Sequence, residues 1–409
     1  MTSVAGPKAI SLFSGAGGLD IGLERAGWDV VIATDLAPDS METLRESRAR
    51  EIPVLGRTAN HLQNTHLINA DVSTLSASDL RPARSGGKWR PDLLAGGPPC
   101  QPWSSAGHQK GLNDPRGQLI AHMLRLVDEV RPRFVLLENV RGLVTAVGPS
   151  GAPGEVLRSI QQDLADIGYA SRVATLNAAD YGAAQRRVRL FIVATSDYEL
   201  PLFPQPTHDK AARDGRKPWV TLGEALSSLP PADPSEVVYP SGARADQLRA
   251  LTPGTGIKTA GKVMNNRPSG HWGYRQDSFL ADLSLPARTI RAASTPDWVR
   301  LPGEEMRRLG WRECAAIQGF PSEWSFQGTA ASLFKQIGNA VQVDVAEVVG
   351  GMVLSALRRG PALERPTTPP WPPELLKRVR YTEAEHRVNG SLRVRLIPKT
   401  TDTRGSATA

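Results

Sequence analysis

A segment that ends in a single cysteine contains the residue types best suited to chemistry. Residues 92–105 read DLLAGGPPCQPWSS. A short apolar run followed by glycine and proline predicts a buried strand that stops at the edge of a sheet. The two prolines fix their own φ and favour extended geometry before them, so Cys100 is expected on a rigid turn. A thiol held there could act as a nucleophile, but cysteine is also a common small buried side chain. This segment alone leaves both interpretations open.

The elements that must position this turn follow from the alternation of apolar runs and helical periodicity. Strands are predicted at 8–13, 30–35, 67–72, 133–140 and 171–176, and within 185–193 a basic cluster runs directly into an apolar strand. Helices are predicted at 19–27, 38–50, 119–130, 154–167, 312–317 and 343–357. This order predicts an α/β fold: a mostly parallel, Rossmann-like sheet with helices on both faces. Ligands then bind at the carboxyl ends of the strands.

A glycine-rich turn, residues 14–18, follows the first predicted strand. Such a turn lets a ligand approach bare backbone and meet the N-terminus of the next helix. The dinucleotide fingerprint would need a third glycine where Asp20 stands, so a hydride-transferring dehydrogenase is the weaker interpretation. Asp35 and Asp71 end the next two strands. Each carboxylate could accept ribose hydroxyls or cap the following element, and both roles stay open.

Composition limits the class of protein. The chain has 409 residues, a net charge of +8 and 40% hydrophobic residues, with a pI near 9.7. The basic balance favours a polyanionic partner such as nucleic acid.

Two cysteines give neither a disulfide framework nor a zinc cluster, and no metal site is expected. No apolar run approaches the ~20 residues of a membrane span and the N-terminus does not resemble a signal peptide, so we expect a cytoplasmic protein without a membrane partner.

The second half of the chain changes character. Residues 1–199 hold the alternating pattern, whereas 200–286 are rich in proline, glycine and aromatic residues and are predicted to form an inserted loop-rich domain. Residues 287–358 are predicted to return to the first domain. A proline-rich linker and a basic tail follow at 359–409, with a hairpin turn predicted at Asn389-Gly390.

Five blocks, taken together, resemble the bacterial DNA (cytosine-5) methyltransferase family of the restriction–modification type. They stand in the family's order over residues 10–357. The blocks are FSGAGG at 13–18, GPPCQ at 97–101, ENV at 138–140, QRRVR at 185–189 and QIGNAV at 336–341. Two positions depart from the family: Ser11 stands where aspartate is frequent, and Gln342 where proline is frequent. Ser11 could change how the glycine turn is braced.

The resemblance assigns roles in catalysis. It implies that the thiolate of Cys100 adds to carbon 6 of cytosine, and that Glu138 hydrogen-bonds ring nitrogen 3. It places Arg189 against the 2-oxygen with Arg187 nearby, while a surface or phosphate-pairing role remains the alternative for each arginine. Cys314 is expected to be an ordinary core residue.

The resemblance also implies S-adenosyl-L-methionine as the methyl donor. Asp35 would hold its ribose and Asp71 its adenine edge, with Leu36 and Val72 flanking the adenine. The complete set of expected cofactor residues is Phe13, Ser14, Gly15, Ala16, Gly17, Gly18, Asp35, Leu36, Asp71, Val72, Gly97, Leu119, Asn339, Ala340 and Val341.

The implied substrate is double-stranded DNA whose target cytosine is flipped out of the helix. The loop 101–116 would close over the base, and the insert would read the major groove, where arginine, asparagine and glutamine recognise bases by paired hydrogen bonds. The expected DNA-binding residues are Gln101, Ser104, Ser105, Arg267, His271, Arg275 and Gln276. We also expect that the protein is a monomer and that a restriction endonuclease, acting separately, is its functional partner. A transfer-RNA cytosine methyltransferase and a non-catalytic DNA-binding homologue are the alternatives.

Overall fold

The computed structural model describes residues 6–82, 89–99, 118–258, 274–293 and 295–388, with the side chains of 258, 274–277 and 385–388 left aside. Cys100, the loop that follows it and the predicted turn at 389–390 lie outside these residues.

A seven-stranded sheet forms the centre of the fold, with strand order β3-β2-β1-β4-β5-β8-β6. Its strands are β1 (Lys8–Leu12), β2 (Asp29–Asp35), β3 (His66–Asn69), β4 (Leu93–Gly96), β5 (Phe134–Val140), β6 (Ala170–Asn177) and β8 (Val188–Thr195), with the short β7 (Gln185–Arg186) preceding β8. All neighbours are parallel except β8, which runs antiparallel to both β5 and β6. The predicted α/β fold with a mostly parallel sheet is confirmed.

Ten helices accompany the sheet in the described ranges. They are α1 (Gly18–Ala26), α2 (Pro38–Ala49), α3 (Gln118–Val130), α4 (Glu155–Asp166), α5 (Leu222–Ser227), α6 (Ala245–Arg249), α7 (Trp311–Ile317), α8 (Ala330–Asn339), α9 (Val343–Arg359) and α10 (Pro373–Val388). Two 3₁₀ turns directly follow strands of the sheet: Arg141–Thr145 follows β5, and Ala178–Tyr181 follows β6.

The two faces of the sheet carry separate apolar layers, because successive side chains of a strand point to opposite faces. Ile10 and Leu12 pack with α3, α4 and α10 on one face, whereas Ala9 packs with α1 and α9 on the other. Gly22 allows α1 and α9 to approach closely, since a Cβ there would lie 2.4 Å from the Cβ of Ala346. Residues 330–359 are long and apolar enough to span a membrane, but 61% of their most apolar window is buried in the fold.

A third apolar cluster joins α2 to α5, α7 and α8. The surrounding chain forms short strands: β9 (His208–Asp209), β10 (Lys217–Pro218), β11 (Gly256–Lys258), β12 (Tyr274–Phe279), β13 (Ala287–Arg288), β14 (Trp298–Val299) and β15 (Arg307–Arg308). Cys314 is fully buried in this cluster, as predicted for a core residue.

The C-terminal segment 361–388, which we name the strap, packs along the β6 edge of the sheet. It starts where the N–H of Ala362 donates to the carbonyl of Asp197 (2.9 Å) and continues where the N–H of Ser171 donates to Oγ1 of Thr368 (3.0 Å). Further along, the Trp371 indole donates to Gln161 and lies under the guanidinium of Arg158. The proline-rich stretch is therefore fixed to the sheet by named contacts.

Candidate active site

The carboxyl end of β5 positions an acidic side chain beside an arginine of the antiparallel neighbour. Val140 of β5 lies opposite Arg189 of β8, so Glu138, two residues earlier, shares the same face of the sheet. Nε of Arg189 lies 3.2 Å from Oε1 of Glu138, and the two side chains are only 16% and 11% exposed. The sheet register thus brings together two residues that the sequence assigns to the cytosine site.

Burial and neighbouring positive charge act in opposite directions on the pKa of the Glu138 carboxyl. Removal from water raises the pKa of the Glu138 carboxyl above its ordinary value, although the positive charges of Arg189 and Arg187 oppose the rise. A carboxyl in such surroundings holds a proton more readily than one in water. It can therefore donate a hydrogen bond to a ring nitrogen.

The proline turn after β4 is tied to the same strand end. The side-chain amide of Asn139 donates to the carbonyl of Pro98 (3.1 Å). A Cβ on Gly97 would lie 3.3 Å from Oε2 of Glu138, so glycine gives that carboxylate its room. Cys100 follows two residues after Pro98 and lies outside the described residues. The chain leading to the cysteine is thus bound directly to the Glu138 strand end.

Arg187 is engaged differently from Arg189. The basic cluster that precedes the predicted strand includes the short β7, and Arg187, which is buried, lies between β7 and β8. Its guanidinium donates to three backbone carbonyls, those of Ile290 (2.9 Å), Gly338 (2.9 Å) and Ala340 (2.7 Å). The side chain therefore joins three separate segments of backbone while its charge acts on Glu138 from a distance.

Two glutamines complete this junction: Gln185, from the QRRVR block, and Gln318, which belongs to none of the five blocks. Gln185 donates to the side chain of Gln318 (2.9 Å) and accepts from the N–H of Ile290 (3.0 Å). Gln318 donates to the carbonyl of Ile337 (2.6 Å). Gln318 is fully buried. Its polar side chain directly after the predicted helix 312–317 was the only feature of the sequence that could have indicated this role.

The glycine turn after β1 is held by Asp35. Its Oδ2 accepts from the N–H of Gly15 (2.9 Å) and its Oδ1 from the N–H of Ala37 (2.8 Å). Burial raises the pKa of the Asp35 carboxyl, and the bonds from Ala37 and Gly15 oppose the rise. Asp35 therefore supports the start of α2 and also braces the turn, a contact that the sequence did not reveal.

Beneath the turn lies a buried polar cluster. Oγ of Ser14 is 3.0 Å from Oγ of Ser11 and 3.2 Å from Oδ1 of Asp20. Burial raises the pKa of Asp20 to about 7, and the neighbouring Glu24 charge adds to the rise while bonds to the two serines oppose it. Ser11 thus takes part in bracing the turn through hydroxyl contacts.

The other expected cofactor residues lie around the same strand ends. Gly18 approaches the QIGNAV block closely, since a Cβ on it would lie 2.3 Å from the carbonyl oxygen of Val341. Leu36 is 63% exposed at the end of β2, and Val72 is buried. Asp71 accepts from the N–H of Ser73 (2.9 Å), and this bond lowers the pKa of its carboxyl.

These features fit an adenosine-bearing ligand. Nothing lies within 4 Å of the Cβ position of Gly15, where φ is +54°. The open backbone there, the Asp35 carboxylate and the exposed apolar Leu36 would meet a ligand together. Leu119 and Phe13 are partly buried and pack against the same apolar cluster, and Asn339 is exposed at the end of α8.

The side chains of the expected DNA-binding residues lie outside the part of the chain that the structure describes. Gln101, Ser104, Ser105, Arg267 and His271 lie outside the described residues, and the side chains of Arg275 and Gln276 do too. The backbone of the last two belongs to β12, which pairs antiparallel with β11.

Comparison with known proteins identifies the family. The model of the C-5 cytosine-specific DNA methylase family matches residues 7–355. Type II methyltransferase M.FnuDI of Fusobacterium nucleatum is 31% identical over 368 residues, covering 86% of this chain and 95% of the relative. Type II methyltransferase M.PspPI of a Psychrobacter species is 31% identical over 367 residues, and the match covers 86% of this chain and 80% of that relative. The crystal structure of S. pombe Dnmt2 methyltransferase superposes with a TM-score of 0.57 at 17% identity, covering 86% of this chain and 99% of that one, and supports the fold.

The family model and these relatives place the chain among the methyltransferases. The chain belongs to the C-5 cytosine-specific DNA methylase family, and its reaction is methylation of DNA at carbon 5 of cytosine.

Replacing Arg187 tests its structural role. We expect Arg187→Ala to lower the free energy of unfolding by about 3–5 kcal/mol, because it leaves three buried carbonyls without their charged donor. Chemical denaturation measures the loss. Arg186→Ala, at the exposed neighbouring position, is the charge-matched control and should change stability little. Equal stability of the two variants would contradict this role.

Asp20 predicts a pH dependence of stability. Its pKa is about 7 in the folded chain against an ordinary 3.8, so the folded state binds this proton more tightly. The stability that the Asp20 proton contributes is fully present at pH values below 3.8, the pKa of this carboxyl in the unfolded chain, and is lost as the pH rises through about 7. Relative to Asp20→Asn, the wild-type free energy of unfolding should therefore fall by about 2–4 kcal/mol between roughly pH 4 and 8.

Denaturation across this pH range measures the difference, with the exposed Asp246→Asn on α6 as control. Parallel pH profiles for wild type and Asp20→Asn would mean that Asp20 is charged in the folded chain.

Proposed function

We propose that this chain is a DNA (cytosine-5-)-methyltransferase that uses S-adenosyl-L-methionine and Cys100 as nucleophile. The observation that carries the proposal is the desolvated Glu138–Arg189 pair at the end of β5, tied through Asn139 to the turn that leads into Cys100. The two groups are those needed to accept charge that builds on a cytosine ring.

Cytosine carbon 5 is a poor nucleophile, so a group must first add at carbon 6. The Cys100 sulfur forms a bond to carbon 6, and the ring electrons move towards carbon 5 and nitrogen 3. Glu138 supplies a hydrogen bond or a proton at nitrogen 3, while Arg189 faces the 2-oxygen. A free thiol of pKa ~8.5 is only a few per cent thiolate at neutral pH, so nearby positive charge from Arg187 and Arg189 favours the reactive form.

S-adenosyl-L-methionine, when bound, supplies the electrophilic methyl group. Phe13 to Gly18 would present backbone N–H groups to it, Asp35 would accept its ribose hydroxyls, and Leu36 would cover its adenine. After methylation, a solvent water takes the proton from carbon 5, and the electrons of that C–H bond form the ring double bond and expel the Cys100 sulfur from carbon 6 as thiolate.

The partners complete the proposal. The substrate is duplex DNA with the target base flipped out, since a stacked base cannot reach the strand ends. The relatives' designation as Type II methyltransferases supports protection of DNA from a separately acting restriction endonuclease. We further propose a cytoplasmic monomer. The insert 200–286, including Arg267, His271, Arg275 and Gln276, would read the sequence, and Gln101, Ser104 and Ser105 would contact the DNA beside the flipped base.

Trapping on a substrate analogue tests the nucleophile. Duplex DNA containing 5-fluorocytosine in the recognised sequence should form a denaturation-resistant complex, because fluorine cannot leave carbon 5 as a proton does. Cys100→Ser should form no such complex and transfer no methyl group, while DNA affinity stays close to wild type. The buried Cys314→Ser is the matched control. A trapped complex with Cys100→Ser would assign the nucleophile elsewhere.

Cofactor affinity tests Asp35. We expect Asp35→Asn to weaken S-adenosyl-L-methionine binding by about 1.5–3 kcal/mol for each charge-assisted hydrogen bond lost. Calorimetry measures the change, and Glu46→Gln on the exposed face of α2 removes the same charge as a control. Unchanged binding in Asp35→Asn would leave Asp35 with only its contacts to Gly15 and Ala37.

A further inference from the structure

A buried acidic side chain that takes no part in the proposed reaction lies beneath the glycine turn. Asp20, in the first turn of α1, is fully buried. Its Oδ1 accepts from the hydroxyl of Ser14 (3.2 Å), a residue of the turn itself. Its Oδ2 is also buried and has no hydrogen-bond partner within the part of the chain that the structure describes. One of the two carboxylate oxygens therefore lacks the donor that an ionised group needs.

This arrangement balances the charged and neutral forms of Asp20. Burial with an unpaired oxygen disfavours the carboxylate, and the charge of Glu24, one turn later on α1, disfavours it further. The hydrogen bonds with the two serines and the positive end of the α1 dipole favour it. The pKa of Asp20, raised to about 7, follows from this balance. A further charge placed on the turn would therefore change the ionisation of Asp20 near neutral pH.

Other charged groups surround α1, but Glu24 is the one whose charge acts on the pKa of Asp20. Glu24 is itself held by Nδ1 of His61 (2.6 Å) and by the N–H of Leu62 (2.9 Å). Further charged side chains on α1 and on the segments packed against it are Arg25, Asp29, Asp35, Arg57, Asp344 and Glu347. A pH effect on the turn is therefore assigned by changing Asp20 alone.

The two ligands expected on the turn differ in charge at one atom. S-adenosyl-L-methionine carries a positive sulfonium, whereas the product left after methyl transfer, S-adenosyl-L-homocysteine, has an uncharged thioether at the same place. Their remaining groups are identical. A carboxylate buried beneath the turn attracts the first ligand more strongly than the second, because water and salt screen a buried charge only weakly.

We infer that Asp20 is a specificity-determining residue, whose carboxylate favours binding of the cationic S-adenosyl-L-methionine over its product with an uncharged sulfur. The inference rests on the proposed function, since it takes residues 13–18 as the cofactor site. Binding of the methyl donor favours the ionised form, so the proton of Asp20 passes to the buffer and the affinity rises with pH. The product is attracted less and dissociates more readily.

Calorimetry on wild type and Asp20→Asn tests the inference, because asparagine has nearly the same shape but cannot ionise. Kd values for both ligands are measured at about pH 6 and about pH 8, on either side of the Asp20 pKa. Titrations at neutral pH in two buffers of different ionisation enthalpy give the number of protons released on binding. Asp246→Asn, at an exposed position on α6, is the matched control, and thermal unfolding checks that each chain is folded.

Relative to Asp20→Asn, the wild-type Kd for S-adenosyl-L-methionine should fall about fivefold between roughly pH 6 and 8, with ~0.3–0.5 more protons released per ligand at neutral pH. Comparison with Asp20→Asn cancels the titration of the ligand's own groups. For S-adenosyl-L-homocysteine the same difference should stay below about twofold, since its sulfur carries no charge. Asp246→Asn should behave as wild type.

Equal pH profiles and equal proton release in wild type and Asp20→Asn would overturn the inference, as would a pH effect of the same size for the two ligands. The comparison of the two ligands on wild type needs no variant, so it decides the matter even if Asp20→Asn does not fold. Failure of wild type to bind S-adenosyl-L-methionine at either pH would refute the proposed function itself. Binding without these differences would refute only the role of Asp20.

Discussion

The buried pair of Glu138 and Arg189 is the centre of the candidate active site. The pair exists because β8 enters the sheet antiparallel beside β5, which sets Val140 opposite Arg189. Burial favours the protonated carboxyl and the arginine favours the charged one, so Glu138 can hold or release a proton as charge develops nearby. Neither effect would survive in an exposed loop, where solvent would screen the pair.

Close backbone approaches connect this pair to the remainder of the site. Gly97 gives the Glu138 carboxylate its space, and Gly18 lets the first helix meet Val341. A Cβ on Gly338 would lie 2.2 Å from the backbone of Arg291, so only glycine permits the crossing that Arg187 then holds together. Chain segments far apart in sequence are thereby fixed to the strand ends that form the candidate active site.

Local periodicity predicted a mostly parallel sheet and the helices α1, α2, α3, α4, α7 and α9, but not α5, α6, α8 or α10. The family resemblance grouped Glu138 with Arg189. The sequence could not show that Arg187 turns inward to backbone carbonyls, since its partners are more than a hundred residues away. The bond from Gly15 to Asp35 and the raised pKa of Asp20 depend likewise on burial, which only the assembled fold determines. The roles of Cys100 and of the base-reading residues stay predictions.

The central claim is that the Glu138 carboxyl acts on the cytosine ring during methyl transfer. Single-turnover methylation of a saturating duplex by wild type and Glu138→Gln tests it most directly, with calorimetric Kd values for DNA and S-adenosyl-L-methionine measured in parallel. We expect the rate to fall by about 10²–10⁴-fold while both Kd values change little, because positioned acid catalysis supplies an advantage of that order. A rate close to that of the wild type would contradict the account.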